Sequence, residues 1–152
     1  MSALESARPL AFIPPHSDEA ERSVLGSMFL DPKAVFIALE RLIPEDFYSA
    51  RNRQVFSVMG ELSEAGIPVD TVTVADRLER MYQMSSADDV IYVADLATAV
   101  PSASNINHYI NIVEQKSVLR ALISAGNEIS RSAVESGDLA EMIVDRAGDL
   151  IY

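Results

Sequence analysis

Residues 106–129 read INHYINIVEQKSVLRALISAGNEI, a stretch without proline in which apolar side chains recur every three or four residues. This spacing is typical of an α-helix. At about 100° per residue, Ile106 and Val113 share one face, whereas Leu122 and Ile129 lie roughly on the opposite face. A helix that is buried against one body keeps a single apolar stripe. The switch therefore predicts that this helix contacts a globular body first and a different surface later.

The pattern after residue 129 predicts that the helix is one arm of a hairpin. No proline follows Pro101, Gly137 interrupts the helical pattern, and Asp138 precedes Glu141 by three residues, which is the spacing of a capping box. We therefore predict a long helix over about 105–136 and a last helix after Gly137. An apolar seam, within one hairpin or between two, is predicted at Leu122, Ile129, Leu139, Ile143 and Leu150.

Two helices that project alone cannot bury both their facing and their outer apolar residues. A second copy of the chain or another protein is therefore expected to cover the outer face. The alternative is a compact bundle in which the hairpin folds back onto the globular part.

Residues 14–104 contain residues that typically begin and end several short helices. Ser17 and Asp31 stand where N-caps are expected, and Gly66 stands where a helix ends in the left-handed conformation. The pattern predicts helices over about 17–30, 32–42, 50–65, 71–82 and 88–99. The alternating segment VDTVTV leaves a short strand near residue 71 as the alternative. Side chains expected to face the core include Phe47, Tyr48, Ile91, Tyr92 and Leu96.

The predicted fold class is all-α. It consists of a globular head of about five to six short helices over 14–104, followed by a helical hairpin over 105–152. Residues 1–13 show no periodicity and are expected to form a flexible leader. No apolar run is long enough to span a bilayer, and no secretory signal is visible, so a cytoplasmic protein without membrane contact is expected.

The charge balance argues against nucleic-acid binding. The formal net charge is −11, and the only lysines are Lys33 and Lys116. Gripping phosphates needs clustered lysine and arginine. The helices predicted over 50–65 and 71–82 resemble a helix-turn-helix, but acidic residues outnumber basic ones there. We therefore expect no strong DNA binding and favour protein partners.

The sequence also shows no recognisable catalytic or cofactor-binding motif. The sequence has no cysteine, and neither His16 nor His108 lies in a catalytic motif. No glycine precedes a lysine as a phosphate-binding loop requires. A metal site at His16, Asp18 and Glu19 is conceivable, but helix starts favour these residue types for ordinary reasons. No catalytic, cofactor or metal residue is predicted.

Four segments resemble the N-terminal domain of bacterial replicative DNA helicases of the DnaB family, in the family's order. They are PPHSDEAERSVLGSMFLDP at 14–32, EDFYSARNRQVF at 45–56, GIPVDTVTVADRLE at 66–79 and PSASNINHYINIVEQKSVLRALI at 101–123. The loop MSSADD at 84–89 departs from the family, which often carries a glycine pair there, so the loop conformation is left open.

The resemblance implies a non-catalytic assembly and docking domain of a hexameric, ATP-dependent helicase in DNA replication and primosome assembly. It implies dimers through the hairpins, a trimer of dimers in the ring, docking of the primase C-terminal domain, a helicase loader in some species, and a place at the bacterial nucleoid. ATP and magnesium would act in a C-terminal domain beyond residue 152. The primase-docking residues predicted at the hairpin tip are Glu135, Asp138, Glu141 and Met142. The alternative is a free-standing helical adaptor from a phage or plasmid.

Overall fold

The computed structural model describes residues 13–83, 87–135, 137 and 139–152. These residues form seven α-helices and one short 3-10 turn, and no strand occurs among them. The helices are α1 (Asp18–Leu30), α2 (Pro32–Arg41), α3 (Ala50–Glu64), α4 (Thr71–Tyr82), α5 (Ala87–Ala97), α6 (Ile106–Glu135) and α7 (Ala140–Ile151), with the 3-10 turn at Pro44–Asp46. The all-α prediction is confirmed. Apart from Ile13, the leader predicted over 1–13 lies outside the described residues, as do 84–86 of the loop at 84–89.

The helix starts in the head are fixed by local side-chain caps. The Ser17 hydroxyl accepts a hydrogen bond from the Ala20 N–H at 3.1 Å. The Asp31 carboxylate accepts from the Lys33 N–H at 2.9 Å. These oxygens pair backbone donors that the first turn of a helix leaves free, as the sequence predicted.

The segment around residue 71 is helical, so the strand alternative is wrong. Asp70 is the N-cap of α4, and its carboxylate accepts from the Thr73 N–H at 2.8 Å. The Thr73 hydroxyl in turn accepts from the Asp70 N–H at 3.0 Å, which completes a capping box. Gly66 ends the preceding helix with φ of 71°, in the left-handed region where glycine has no steric penalty.

Helix α1 occupies the centre of the head and packs against α2, α3, α5 and α6. Its side chains Val24, Leu25 and Met28 are fully buried in the core. Gly26 lies where α1 crosses the end of α5, and a Cβ atom there would stand 2.6 Å from the Leu96 carbonyl oxygen. Only glycine therefore permits this close approach of the two helices.

Two of the predicted core residues are exposed. Phe47 is buried as predicted, but Tyr48 is 36% exposed, and its ring stacks on His16 with centroids 4.2 Å apart. Ile91 is 56% exposed, whereas Val93 and Leu96 are buried. Ile91 lies two residues from Val93, or about 200° around the helix, so the two cannot share a face. The predictions for Tyr48 and Ile91 were wrong because an apolar side chain alone does not say which face of a short helix or turn packs inward.

A buried carboxylate joins three parts of the head. Glu21 of α1 is 2% exposed, and its Oε2 accepts the Tyr48 N–H at 2.8 Å. Its Oε1 accepts the Ser49 N–H at 3.3 Å and the Asn52 Nδ2 at 3.0 Å. The Tyr92 hydroxyl of α5 donates to the other amide atom of Asn52, Oδ1. Glu21 thus links α1 to the start of α3, and Asn52 extends the link to α5.

Two arginines surround the half-buried ring of Tyr92. The guanidinium carbons of Arg22 and Arg51 lie 5.5 and 4.7 Å from the ring centroid. Arg51 also pairs with the Asp89 carboxylate at 3.2 Å. Burial raises the pKa of the Tyr92 hydroxyl above its ordinary value, and the two guanidinium charges oppose that rise. Tyr92 is therefore a neutral donor to the network throughout the physiological pH range.

The first prediction concerns the Glu21 network. Glu21→Ala should lower the free energy of unfolding by roughly 2–4 kcal/mol, because three buried or half-buried donors would lose their acceptor. Chemical denaturation followed by circular dichroism measures the change. Glu19→Ala is the matched control, because Glu19 is exposed in the same first turn and its loss should cost less than about 1 kcal/mol. Equal losses for the two variants would contradict the role given to Glu21.

Candidate functional site

The first half of α6 belongs to the core of the head. Ile106, Ile110 and Val113 are buried there, and α6 packs against α1, α2 and the 3-10 turn. This confirms the first of the two faces that the sequence predicted. Beyond Val113 the apolar side chains of α6 no longer pack in the core of the head, since Val118, Leu119 and Leu122 are exposed.

Arg120 and Ser117 attach the middle of α6 to the head. The Arg120 guanidinium donates to the Pro15 carbonyl oxygen at 2.8 Å and to the Asp46 carbonyl oxygen at 2.6 Å. Its carbon also lies 5.7 Å from the centroid of the Tyr48 ring. The Ser117 hydroxyl donates to the Asp46 carboxylate at 2.8 Å. These directional contacts fix the angle at which α6 leaves the head.

A second arginine attaches α6 from the other side. Arg41, the last residue of α2, contacts the Glu114 carboxylate at 2.9 Å. It also donates to the side-chain oxygens of Asn107 at 3.3 Å and Asn111 at 2.6 Å. Because Asn107, Asn111 and Glu114 lie one turn apart, Arg41 reaches along one side of the helix. We call the contacts of Arg41, Ser117 and Arg120 the joint between head and hairpin.

The hairpin is formed by the second half of α6 and by α7, and α7 packs against α6. Ile129 of α6 and Ile143 of α7 are half-buried, and Ala125 is buried. Ala125 and Ile129 lie four residues apart on α6, and Ile143 lies four residues from the half-buried Ala147 on α7, which is the spacing of a packed face. Ile129 and Ile143 therefore lie within the hairpin.

The remaining residues of the predicted seam lie on the outside of this hairpin. Leu122, Leu139 and Leu150 are 52%, 71% and 40% exposed. Exposed leucines at such density mark a surface that another apolar face can cover. The structure therefore divides the predicted seam into an inner pair, Ile129 and Ile143, and an outer set of three leucines. Each set calls for a different experiment.

The predicted docking residues lie at the tip of the hairpin. Glu135 ends α6, while Glu141 and Met142 lie in the first turn of α7, and all three are exposed. Asp138 lies outside the described residues. The N-cap of α7 is Leu139, whose side chain makes no capping bond, so the capping box predicted around Asp138 is not at the observed N-cap.

The described part of the chain contains no group of three His, Cys, Asp or Glu side chains that could hold a metal ion. His16, the one histidine of the conceivable metal site, donates from its Nδ1 to the Pro14 carbonyl oxygen at 2.8 Å and lies 3.6 Å from the Asp18 carboxylate. None of the helices in 13–83, 87–135 or 139–152 combines the length and apolar character that a bilayer crossing needs.

A globular helical head from which a long helical hairpin projects defines an all-α class of domain. The chain belongs to the family of the DnaB-like helicase N terminal domain, whose model matches residues 13–115. The 152 residues therefore hold this N-terminal domain and no ATPase domain.

Relatives and solved structures agree with this assignment. The replicative DNA helicase DnaB of Geobacillus stearothermophilus is 44% identical over 147 residues, which cover 97% of this chain and 32% of that protein. The replicative DNA helicase DnaC of Bacillus subtilis is 38% identical over 135 residues, which cover 89% of this chain and 30% of that protein. The chain therefore spans about a third of the length of these curated relatives.

The fold is similar to two solved N-terminal domains of DnaB helicase. The domain from Mycobacterium tuberculosis has a TM-score of 0.86 and 37% sequence identity, and the match covers 92% of this chain and 99% of that one. The domain from Helicobacter pylori has a TM-score of 0.65 and 25% identity, and the match covers 76% and 89% of the two chains. The latter was described together with its interactions with primase.

The second prediction concerns the joint. Arg120→Ala should lower the stability of the head by about 1–3 kcal/mol, because two carbonyl oxygens lose a charged donor. Hydrogen exchange should also accelerate at residues 44–48, which the Arg120 side chain contacts. Arg131→Ala is the matched control, because Arg131 is exposed on the same helix beyond the joint. Unchanged exchange at 44–48 in a folded Arg120→Ala protein would contradict this role.

Proposed function

We propose that the chain is a non-catalytic assembly and primase-docking domain of a hexameric replicative DNA helicase. The observation that carries the proposal is the hairpin, which leaves the head at a fixed angle with exposed leucines along its outer side. The family supports a role in a replicative helicase. The chain spans about a third of the relatives' length, which supports the proposal that ATP and magnesium act in a part of the helicase outside these residues.

Assembly is proposed to proceed through the outer set of leucines. Leu122, Leu139 and Leu150 of one hairpin pack against those of a second copy, and three such dimers build a ring collar. Covering a leucine side chain stabilises an interface by roughly 1.5–3 kcal/mol, so a few such residues on each copy support a dimer. The inner pair, Ile129 and Ile143, holds the two arms of one hairpin together in this arrangement.

The third prediction tests this assembly by separating the two sets. Leu122→Glu should convert a dimer to a folded monomer, because the side chain is exposed in the single chain but would carry an unpaired charge into the interface. Ile143→Glu should instead unfold the hairpin, since Ile143 is half-buried inside it. Sedimentation velocity over a concentration series measures mass, and circular dichroism measures folding.

The matched control for Leu122→Glu is Val72→Glu on α4 of the head, where the valine is 74% exposed. This control should leave the dimer intact. A wild-type chain that stays monomeric at high concentration would refute the dimer, and dissociation by Val72→Glu would move the interface to the head.

Docking of the primase C-terminal domain is proposed at the tip of the hairpin. Glu135 and Glu141 are exposed carboxylates beside the exposed Met142, which gives an acidic rim next to an apolar contact. A partner with a basic rim and an apolar centre is complementary to this surface. The charges mainly set the association rate and the salt dependence, while the apolar contact sets the lifetime of the complex. The described interaction of the Helicobacter pylori domain with primase supports the choice of partner.

The fourth prediction is measured by titration of the chain with the cognate primase C-terminal domain. Glu135→Lys with Glu141→Lys should lower the association rate at least tenfold at low salt, and Met142→Ala should mainly raise the dissociation rate. Glu79→Lys on the head is the matched charge control, because Glu79 is also exposed. Folded tip variants that bind as well as the wild type would move docking to another part of the domain.

A further inference from the structure

A groove between α2 and α3 lies on the head, apart from the hairpin. It encloses about 530 Å³, and its lining is mostly apolar. Leu42 and Phe56 are buried in its floor, while Phe36 and Ile43 stand at its rim with 64% and 57% of their surface exposed. Large apolar side chains at such exposure, beside an open cavity, are typical of a surface that another molecule covers.

The groove is open because α3 carries a glycine where it faces α2. A Cβ atom at Gly60 would meet only the Leu39 Cδ2 atom, at 3.4 Å, which is an ordinary contact. Gly60 is therefore not required by packing, in contrast with Gly26, whose Cβ would collide with a backbone oxygen. The absence of a side chain at Gly60 leaves the depth of the groove free for an incoming side chain.

The dimensions of the groove suit a helix of about two turns. Its α3 wall runs from Ser57 to Glu64, which is about 10 Å at 1.5 Å per residue. A docked helix places apolar residues at positions i, i+4 and i+7 on one side over the same length. Phe36 also lines a second cavity of about 370 Å³, and its side chain is 64% exposed.

The negative charge near the groove favours a partner with positively charged side chains. Glu40 lies one turn after Phe36 on α2, and Glu64 lines the opposite wall on α3, both exposed. Within the described ranges, neither carboxylate has a basic side chain within 4 Å, whereas Glu61 is paired with Arg77 at 3.6 Å. Glu64 on the α3 wall and Glu40, which lies outside the lining of the groove but one turn from Phe36, are complementary to an apolar helix flanked by lysine or arginine.

We propose that the groove between α2 and α3 binds a short, basic amphipathic helix of another protein. Its apolar stripe enters between Phe36 and Gly60, and its basic flanks pair with Glu40 and Glu64. This interaction is distinct from primase docking at the hairpin tip and does not depend on the hairpin dimer.

The test uses the full chain labelled with ¹⁵N and a synthetic helix-forming peptide with leucine at i, i+4 and i+7 and lysine at the flanking positions. Chemical-shift changes should cluster at 36–43 and 57–64. The same peptide with glutamate in place of lysine should bind at least tenfold more weakly. Shifts that cluster elsewhere, equal binding of both peptides, or no binding at millimolar concentration would overturn the proposal.

Variants of the groove make the test specific. Phe36→Ser and Gly60→Leu should each weaken binding of the lysine peptide at least tenfold, the first by removing the rim and the second by filling the cavity. Val72→Ser and Gly126→Leu are the matched controls, because Val72 is 74% exposed on α4 and a Cβ at Gly126 meets nothing within 4 Å. Folded groove variants that bind as well as these controls would overturn the proposal.

A second copy of the chain is the competing occupant, and the same variants distinguish it. Self-association that Phe36→Ser abolishes and Leu122→Glu leaves intact would show that another head covers the groove, and would overturn the proposal of a basic helix. Binding of the lysine peptide in the groove, by a chain that shows no such self-association, supports the proposal of a basic helix.

Discussion

The buried carboxylate of Glu21 is the contact on which the rest of the structure depends. A charge in a protein interior is costly unless donors surround it, so Tyr48, Ser49 and Asn52 must all be placed around it at once. This requirement brings the turn before α3 onto the central helix α1. The same turn presents the Asp46 carbonyl oxygen that Arg120 contacts, so the position of the hairpin follows from the network in the head.

The division between core and joint has a physical reason. Apolar burial attaches the first turns of α6 to the head but, being non-directional, does not determine where the helix points beyond Val113. The guanidinium groups of Arg41 and Arg120 supply the direction, because their donors reach only acceptors at a fixed distance and angle. The proposed assembly and docking need this orientation more than they need additional burial.

In the single chain, the hairpin buries much less apolar surface than the head does. The head buries continuous apolar faces of α1, α3 and α6, whereas beyond the joint Ala125 alone is buried among the described residues. An element with so little buried surface draws stability from whatever covers it. Assembly is therefore expected to add stability to a hairpin that already folds in the single chain, while the groove between α2 and α3 rests on helices that need no partner to form.

The sequence by itself determined the helices of the head, the caps at Ser17 and Asp31, and the switch of face along α6. Those features depend on contacts between residues a few positions apart, such as Ser17 with Ala20, and such contacts are visible in a linear pattern. The linear pattern does not reveal that Glu21 is buried, and it predicts Ile91 in the core although Ile91 is exposed. Only the tertiary structure decided these roles, and it alone separated the inner pair of the seam from the outer leucines. Burial of a given side chain depends on which distant element packs against it, and that information is absent from local spacing.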